Sequence, residues 1–247
     1  MSDAVRLENV SKVFASGTQA LDSVSLRFGE GSFTCIVGPS GCGKSTLLRL
    51  IAGLEAPSQG SIIWPGGKKR IGFVFQEPTL MPWARALANV ALPLTLKGVP
   101  RAEREARAAA LLQRVGLSGF ERAFPAELSG GMKMRVSIAR ALAADPELLL
   151  MDEPFAALDE FTRQELNDDL IALAVQQKLT TIFVTHSIYE SAYLAPGIVV
   201  MRPRPGRIAA TLHDDLPANR NTQWRTTEAF GARVRRILSA LEQAKAA

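Results

Sequence analysis

Several things are scarce in this chain. It has two cysteines in 247 residues, too few for a disulfide framework, which excludes the small secreted scaffolds and points to the cytosol. No apolar run approaches the ~18 residues of a membrane span. The start, MSDAVRLENVSKVF, lacks the basic-then-apolar pattern of a secretory leader. Internal repeats and low-complexity segments are missing as well. A strong charge of one sign is also absent: the formal net charge of +5 is modest and spread along the chain. It fits a solvated basic surface near anionic lipid as well as a polyanionic partner. What remains is an ordinary globular composition, 47% hydrophobic and 21% charged. That suffices for one large domain, or a core with a smaller insert.

Residues 5–10, 21–28, 33–37 and Ile71–Phe75 read as strands, rich in Val, Ile and Phe. Ser45 to Gly53 has helical spacing through Leu47, Leu48 and Ile51. Residues 101–115 predict a helix opened by Pro100 and ended by Gly116, and its charged face, Arg101 to Arg107, reads as solvated. Ser129 is placed to cap a further helix through Ala143. Leu148–Asp152 and Thr181–Thr185 are short continuous apolar strands of the kind a doubly covered parallel sheet uses, with a helix over 160–177 between them. The recurrence argues for an α/β fold with right-handed crossovers. The stretch from about 85 to 140 breaks the rhythm and reads as a helical insert, and residues 226–242 read as an amphipathic helix.

The chemistry begins at Gly38-Pro39-Ser40-Gly41-Cys42-Gly43-Lys44-Ser45-Thr46. This is a phosphate loop between a strand and a helix. Its glycines let backbone N–H groups converge on phosphate oxygens, and the helix N-terminus adds its dipole. Lys44 is placed for the β- and γ-phosphates and the Ser45 hydroxyl for Mg²⁺. Cys42, beside Lys44 and the helix end, is expected to be an acidified, reactive thiol. Leu148 to Pro154 supplies the other half: an apolar strand ending in Asp152 brings a carboxylate to Mg²⁺, and Glu153 is positioned to take a proton from attacking water.

A second anion grip follows about ninety residues after the first, at Leu128-Ser129-Gly130-Gly131-Met132, where a Ser-Gly-Gly opens a helix. Ser129 by itself reads equally as a plain helix cap. The order of features decides: from about residue 4 to 212 the chain resembles the nucleotide-binding subunits of ABC transporters. Phe14 matches the aromatic that stacks on adenine in that family, and Gln76 matches its Q-loop glutamine, which contacts the metal or water. Leu128–Met132 matches the family signature, Ala157-Leu158-Asp159 the D-loop, and His186 the switch histidine.

The resemblance implies an α/β P-loop NTPase core with a RecA-type parallel sheet flanked by helices, an N-terminal antiparallel β subdomain and an inserted helical subdomain. The implied divisions are 1–84 with 141–213 for the core, 85–140 for the signature subdomain and 214–247 for a C-terminal extension. It also implies ATP and Mg²⁺ as cofactors. Two copies would pack head to tail, the Ser129–Gly131 segment of one closing on the γ-phosphate held by the other. Met132, Ala157, Ser187 and Ala195-Pro196-Gly197 depart from the commonest family pattern, but none removes a phosphate or metal ligand.

Gln76 to Trp83, the signature ending in Met132, and Met201 to Ile208 together resemble the nitrate, sulfonate and taurine importer ATPases. The implied partners are two membrane permease subunits and, indirectly, a solute-binding protein, with no nucleic acid. The implied place is the cytoplasmic face of the cell membrane, as a peripheral subunit. Leu80, Met81, Pro82 and Trp83 read either as core or as a groove for a permease coupling helix. Three rivals stand beside this reading, of which one, a regulatory binder that holds ATP without turning it over, is opposed by Glu153. A soluble non-transport ABC ATPase usually carries paired cassettes or long coiled-coil inserts, and sustained heptads are missing here. A P-loop small-molecule kinase has no use for Ser129–Gly131 or His186.

Overall fold

The computed structural model describes residues 2–217 and 220–246. In chain order the first elements are β1 (Asp3–Val13), β2 (Gln19–Gly29), β3 (Phe33–Val37), α1 (Lys44–Ala52), β4 (Gln59–Ile63) and β5 (Ile71–Val74). Next come α2 (Ala86–Leu96), α3 (Arg101–Arg114), α4 (Gly130–Ala143), β6 (Leu148–Asp152) and α5 (Glu160–Gln177). The last are β7 (Thr180–Thr185), α6 (Ile188–Leu194), β8 (Gly197–Arg202), β9 (Arg207–His213) and α7 (Glu228–Ala246). They form two compact units, one of residues 1–69 with 171–247 and one of residues 70–170.

The first unit holds two sheets. One is antiparallel in the order β2-β1-β4. The other runs β7-β3-β8-β9, parallel across β7, β3 and β8 and closed by the antiparallel β9. All six residues of β7 are buried, and Cys35, Ile36 and Val37 of β3 are inaccessible or nearly so. Strands covered on both faces need such continuous apolar runs. Register matters most here. Val37 pairs with Thr185 and with Val200, so Gly38 and His186 leave the carboxyl ends of adjacent strands at one level. Open parallel sheets bind ligands at that edge.

In the second unit β5 and β6 pair in parallel, Val74 opposite Met151. Gln76 and Glu153, each two residues further on, therefore emerge at one end of the pair. The helices of this unit pack around α4, whose Met134, Val136, Ile138 and Leu142 are buried.

Four elements exceed the sequence expectation: β4, α6, β8 and β9 stand where no strand or helix is read from the sequence. β4 begins Gln-Gly-Ser, exposed at all three positions, and its order comes from pairing with β1.

Candidate functional site

In the first unit the phosphate loop sits between β3 and α1, as its motif requires. Gly43 is the N-cap of α1 in the left-handed region (φ 91°), with no side-chain cap bond. Gly43 itself brings no side-chain oxygen to compete with a ligand for the first-turn amides. Lys44 is buried, 5% exposed, and its ammonium donates to the carbonyls of Gly38 (2.9 Å) and Pro39 (3.2 Å). A buried cation held by carbonyl oxygens inside a glycine loop is a ready partner for phosphate oxygens. This donor set fits a nucleotide triphosphate.

Phe14 lies half-buried in the tight turn between β1 and β2, where its N–H donates to Thr18 O at 3.0 Å. The Lys12 ammonium stands 5.2 Å from its ring centroid. His186 is exposed, directly after the buried Thr185.

Cys42 overturns one expectation. Its side chain is wholly buried, as is that of Cys35, so the thiol is closed to reagents however close the helix end. Burial, followed by the nearby Glu190 carboxylate, pushes the Cys35 thiol well above its usual range. Native protein is expected to resist Ellman's reagent at both cysteines and to react at both in guanidinium. Fast labelling of native Cys42 would contradict this packing.

In the second unit Asp152 ends β6 and is 7% exposed. Glu153, half-buried, follows with φ 47°. A non-glycine residue in the left-handed region costs about 1 kcal/mol or more and is found preferentially at functional positions. Ser129 does cap α4: its hydroxyl accepts from the Met132 amide at 3.2 Å. Gly130 is exposed, whereas Gly131 is buried. A Cβ at Gly131 would stand 2.5 Å from Thr162 Cγ2, so any larger residue would force the signature turn or the Thr162 side chain on α5 to shift. Met132 lines an open groove of about 590 Å³ with Leu117, Phe120 and Arg135. Asp159 caps α5 by accepting from the Thr162 amide at 3.0 Å, and these bonds hold its carboxyl below the usual range.

Gln76 is exposed, yet the loop that carries it is anchored twice by residues that no motif reveals. Arg140 of α4 donates to the carbonyls of Pro78 (2.7 Å) and Thr79 (2.8 Å) and to Thr79 Oγ1 (2.9 Å). Asn89 of α2, wholly buried, accepts from Met81 N at 2.8 Å and donates to the carbonyls of Met81 and Ala84. All but one of these partners, the Thr79 hydroxyl, are backbone groups of one loop, which is why spacing gives no hint of them. Held this way, the loop presents Trp83 at 76% exposure, and the core alternative for that residue fails. Leu80 and Met81 are half-buried and Pro82 is exposed.

These two half-sites, a phosphate loop with its histidine and a signature turn with its Asp-Glu strand end, define a P-loop ATPase cassette. The comparisons agree. A match to the ABC transporter family covers residues 21–156. An ABC transporter ATP-binding protein of Methanocaldococcus jannaschii is 45% identical, over 98% of this chain and 92% of its own. The aliphatic sulfonates import ATP-binding protein SsuB of Bacillus cereus is 42% identical over 97% and 96%. The taurine import ATP-binding protein TauB of Rhizobium johnstonii is 47% identical over 86% and 84%. Among solved structures, the dimeric cassette MJ0796 bound to ADP and Pi superposes with a TM-score of 0.76 at 35% identity, over 85% of this chain and 98% of that one. The chain belongs to the ABC transporter family. It has the α/β P-loop fold expected from the sequence, and it is an ATP-binding, ATP-hydrolysing subunit.

Proposed function

We propose that this subunit powers uptake of a small sulfonate-like anion, working as a homodimer on two membrane permease subunits at the cytoplasmic face of the membrane. The observation that carries the reading is the near full-length likeness to an aliphatic sulfonate import ATP-binding protein. Among the described residues no helix is long and apolar enough to cross a membrane. The dimeric state of the similar cassette MJ0796 supports sharing of each nucleotide between two copies.

Each residue then has a physical role. The Phe14 ring stacks on adenine. Gly38, Pro39, Ser40, Gly41, Cys42, Gly43 and Thr46 form the loop whose backbone amides meet the phosphates, and Lys44 neutralises the β- and γ-oxygens. Ser45, Gln76 and Asp152 would hold Mg²⁺. A hydroxyl, an amide and a carboxylate oxygen suit an ion that keeps phosphate oxygens and waters as its other ligands. Bound Mg²⁺ would neutralise charge developing on the phosphates. Glu153 accepts the proton of the attacking water, and His186 contacts the γ-phosphate. Ser129, Gly130 and Gly131 of the second copy close over it.

The deciding measurement is ATPase activity of the complex purified with its permease. Sulfonates or taurine, presented by the binding protein, are expected to stimulate it, and no response to any sulfonate would remove the substrate assignment. Trp83→Ala is expected to weaken co-purification of the permease while soluble ATP affinity stays as in the parent. Unchanged association would show that the exposed indole is not part of the contact.

A further inference from the structure

The segment after β9 plays no part in the reading above, yet it is built onto the element that follows His186. His186 stands between two residues whose backbone is fixed by one network. The Thr185 hydroxyl, 2% exposed, donates to the Glu190 carboxylate and accepts from the Ser187 amide at 2.9 Å. The Ser187 hydroxyl in turn accepts from the Glu190 amide at 3.2 Å, capping α6. The placement of His186 thus depends on where α6 sits.

What holds the far end of α6 is α7. Arg233, 6% exposed, donates through Nε to Ala192 O at 3.0 Å and through Nη2 to the carbonyls of Ala195 and Pro196. Its Nη1 is paired with Asp214, which also takes Arg236. A guanidinium fork on the last carbonyls of a helix satisfies acceptors the helix itself leaves open, and the charge suits that end of the dipole. An aromatic patch backs the fork: Trp224 lies 5.7 Å from Tyr193 and 5.0 Å from Phe230, and Tyr189 lies 6.3 Å from Phe230. Tyr189 and Tyr193 are one turn apart on α6, so α7 and the turn at Trp224 grip both its end and its side.

We infer that Asp214, the turn at Trp224 and α7 form a clamp on α6 in which Arg233 is a positioning residue for His186, setting the stance of the γ-phosphate sensor from the C-terminal segment. The inference rests on the assignment of His186 given above. Glu190 sits at the network end of α6 and Arg233 at the clamp end, so a slackened clamp shifts the hydrogen bonds around Thr185 and Ser187. Nucleotide binding through the phosphate loop does not pass through these contacts. The clamp therefore acts on turnover rather than on affinity.

The experiment measures steady-state ATP hydrolysis by the purified subunit and its Arg233→Met, Arg233→Lys, His186→Ala and Arg233→Met/His186→Ala variants, with melting curves for each. Arg233→Met is expected to lower kcat about tenfold, within what misplacement of a catalytic group costs, while KM for ATP stays within about twofold. Arg233→Lys keeps the charge without the fork and is expected to recover part of the loss. In the His186→Ala background Arg233→Met is expected to add nothing, because the residue it positions is gone. A folded Arg233→Met variant with parental kcat would overturn the inference, as would an equal loss in both backgrounds or a loss confined to KM. If Arg233→Met does not fold, Asp214→Asn loosens the fork without emptying it. A kcat reduced about threefold supports the clamp, and an unchanged kcat overturns it. Parental turnover in His186→Ala would instead refute the assignment of His186, whatever Arg233 does.

Discussion

Glu153→Gln is expected to abolish turnover while ATP remains bound and two copies stay closed as a dimer. The substitution keeps the shape and hydrogen-bonding reach of the side chain and removes its capacity to take a proton. General-base catalysis is worth typically ~10²–10⁴-fold, or about 2.7–5.5 kcal/mol of barrier. The backbone at this position is itself unusual, with φ at 47° immediately past the buried Asp152. Phosphate release should fall at least a hundredfold on that scale, and size-exclusion in ATP should show a dimer. Parental phosphate release from a folded Glu153→Gln variant would move the base elsewhere.

Gly206→Ala should be nearly as damaging, by a different route. Gly206 lies in the turn between β8 and β9, its amide donating to Ala20 O at 3.0 Å and its carbonyl accepting from Asp22 N at 3.0 Å. A Cβ there would stand 2.2 Å from Cys42 O and 2.8 Å from Ala20 O. Both obstacles are backbone and neither can swing aside. One methyl group therefore displaces either the turn or the phosphate loop itself. Overpacking of this kind costs about 1–3 kcal/mol, and for a chain of this size each kcal/mol lowers Tm by about 2–4 °C. ATP affinity, read by fluorescent-nucleotide titration, should drop on the order of a hundredfold if the loop is what yields, since about 2.7 kcal/mol of binding corresponds to that factor. Parental affinity and an unshifted melt together would show that the turn accommodates the methyl.

The parts of the site that the sequence displays are those whose chemistry is written in residue type and local spacing. Gly38–Thr46 needs its glycines for backbone reach and its Lys-Ser for charge and oxygen, so the pattern survives in one dimension. Leu148–Asp152 is legible because a doubly covered strand must be apolar throughout, and the carboxylate stands out at its end. Ser129 shows because capping is a contact three residues long. Arg140, Asn89 and Arg233 do not show, for the opposite reason. Each binds main-chain carbonyls at sequence distances set by the fold, and a carbonyl has the same name at every residue. The same limit explains the elements missed. β4 is ordered by β1 rather than by its own Gln-Gly-Ser, and α6 is too short for its period to register. Cys42 misled because spacing reports the nearby cation and helix end but says nothing about the side chains that bury the sulfur.

One consequence of the strand register reaches into thermodynamics. Val37 is bonded on one side to the level of Thr185 and on the other to that of Val200, and the turn at Gly206 backs the loop beyond. The cradle for phosphate is thus cast during folding, before any nucleotide arrives. The conformational entropy of shaping it is settled in the stability of the subunit, and ATP meets a rigid mould. Calorimetry of ATP binding to the single subunit should accordingly show a small heat-capacity change, with the large one reserved for the step in which a second copy closes.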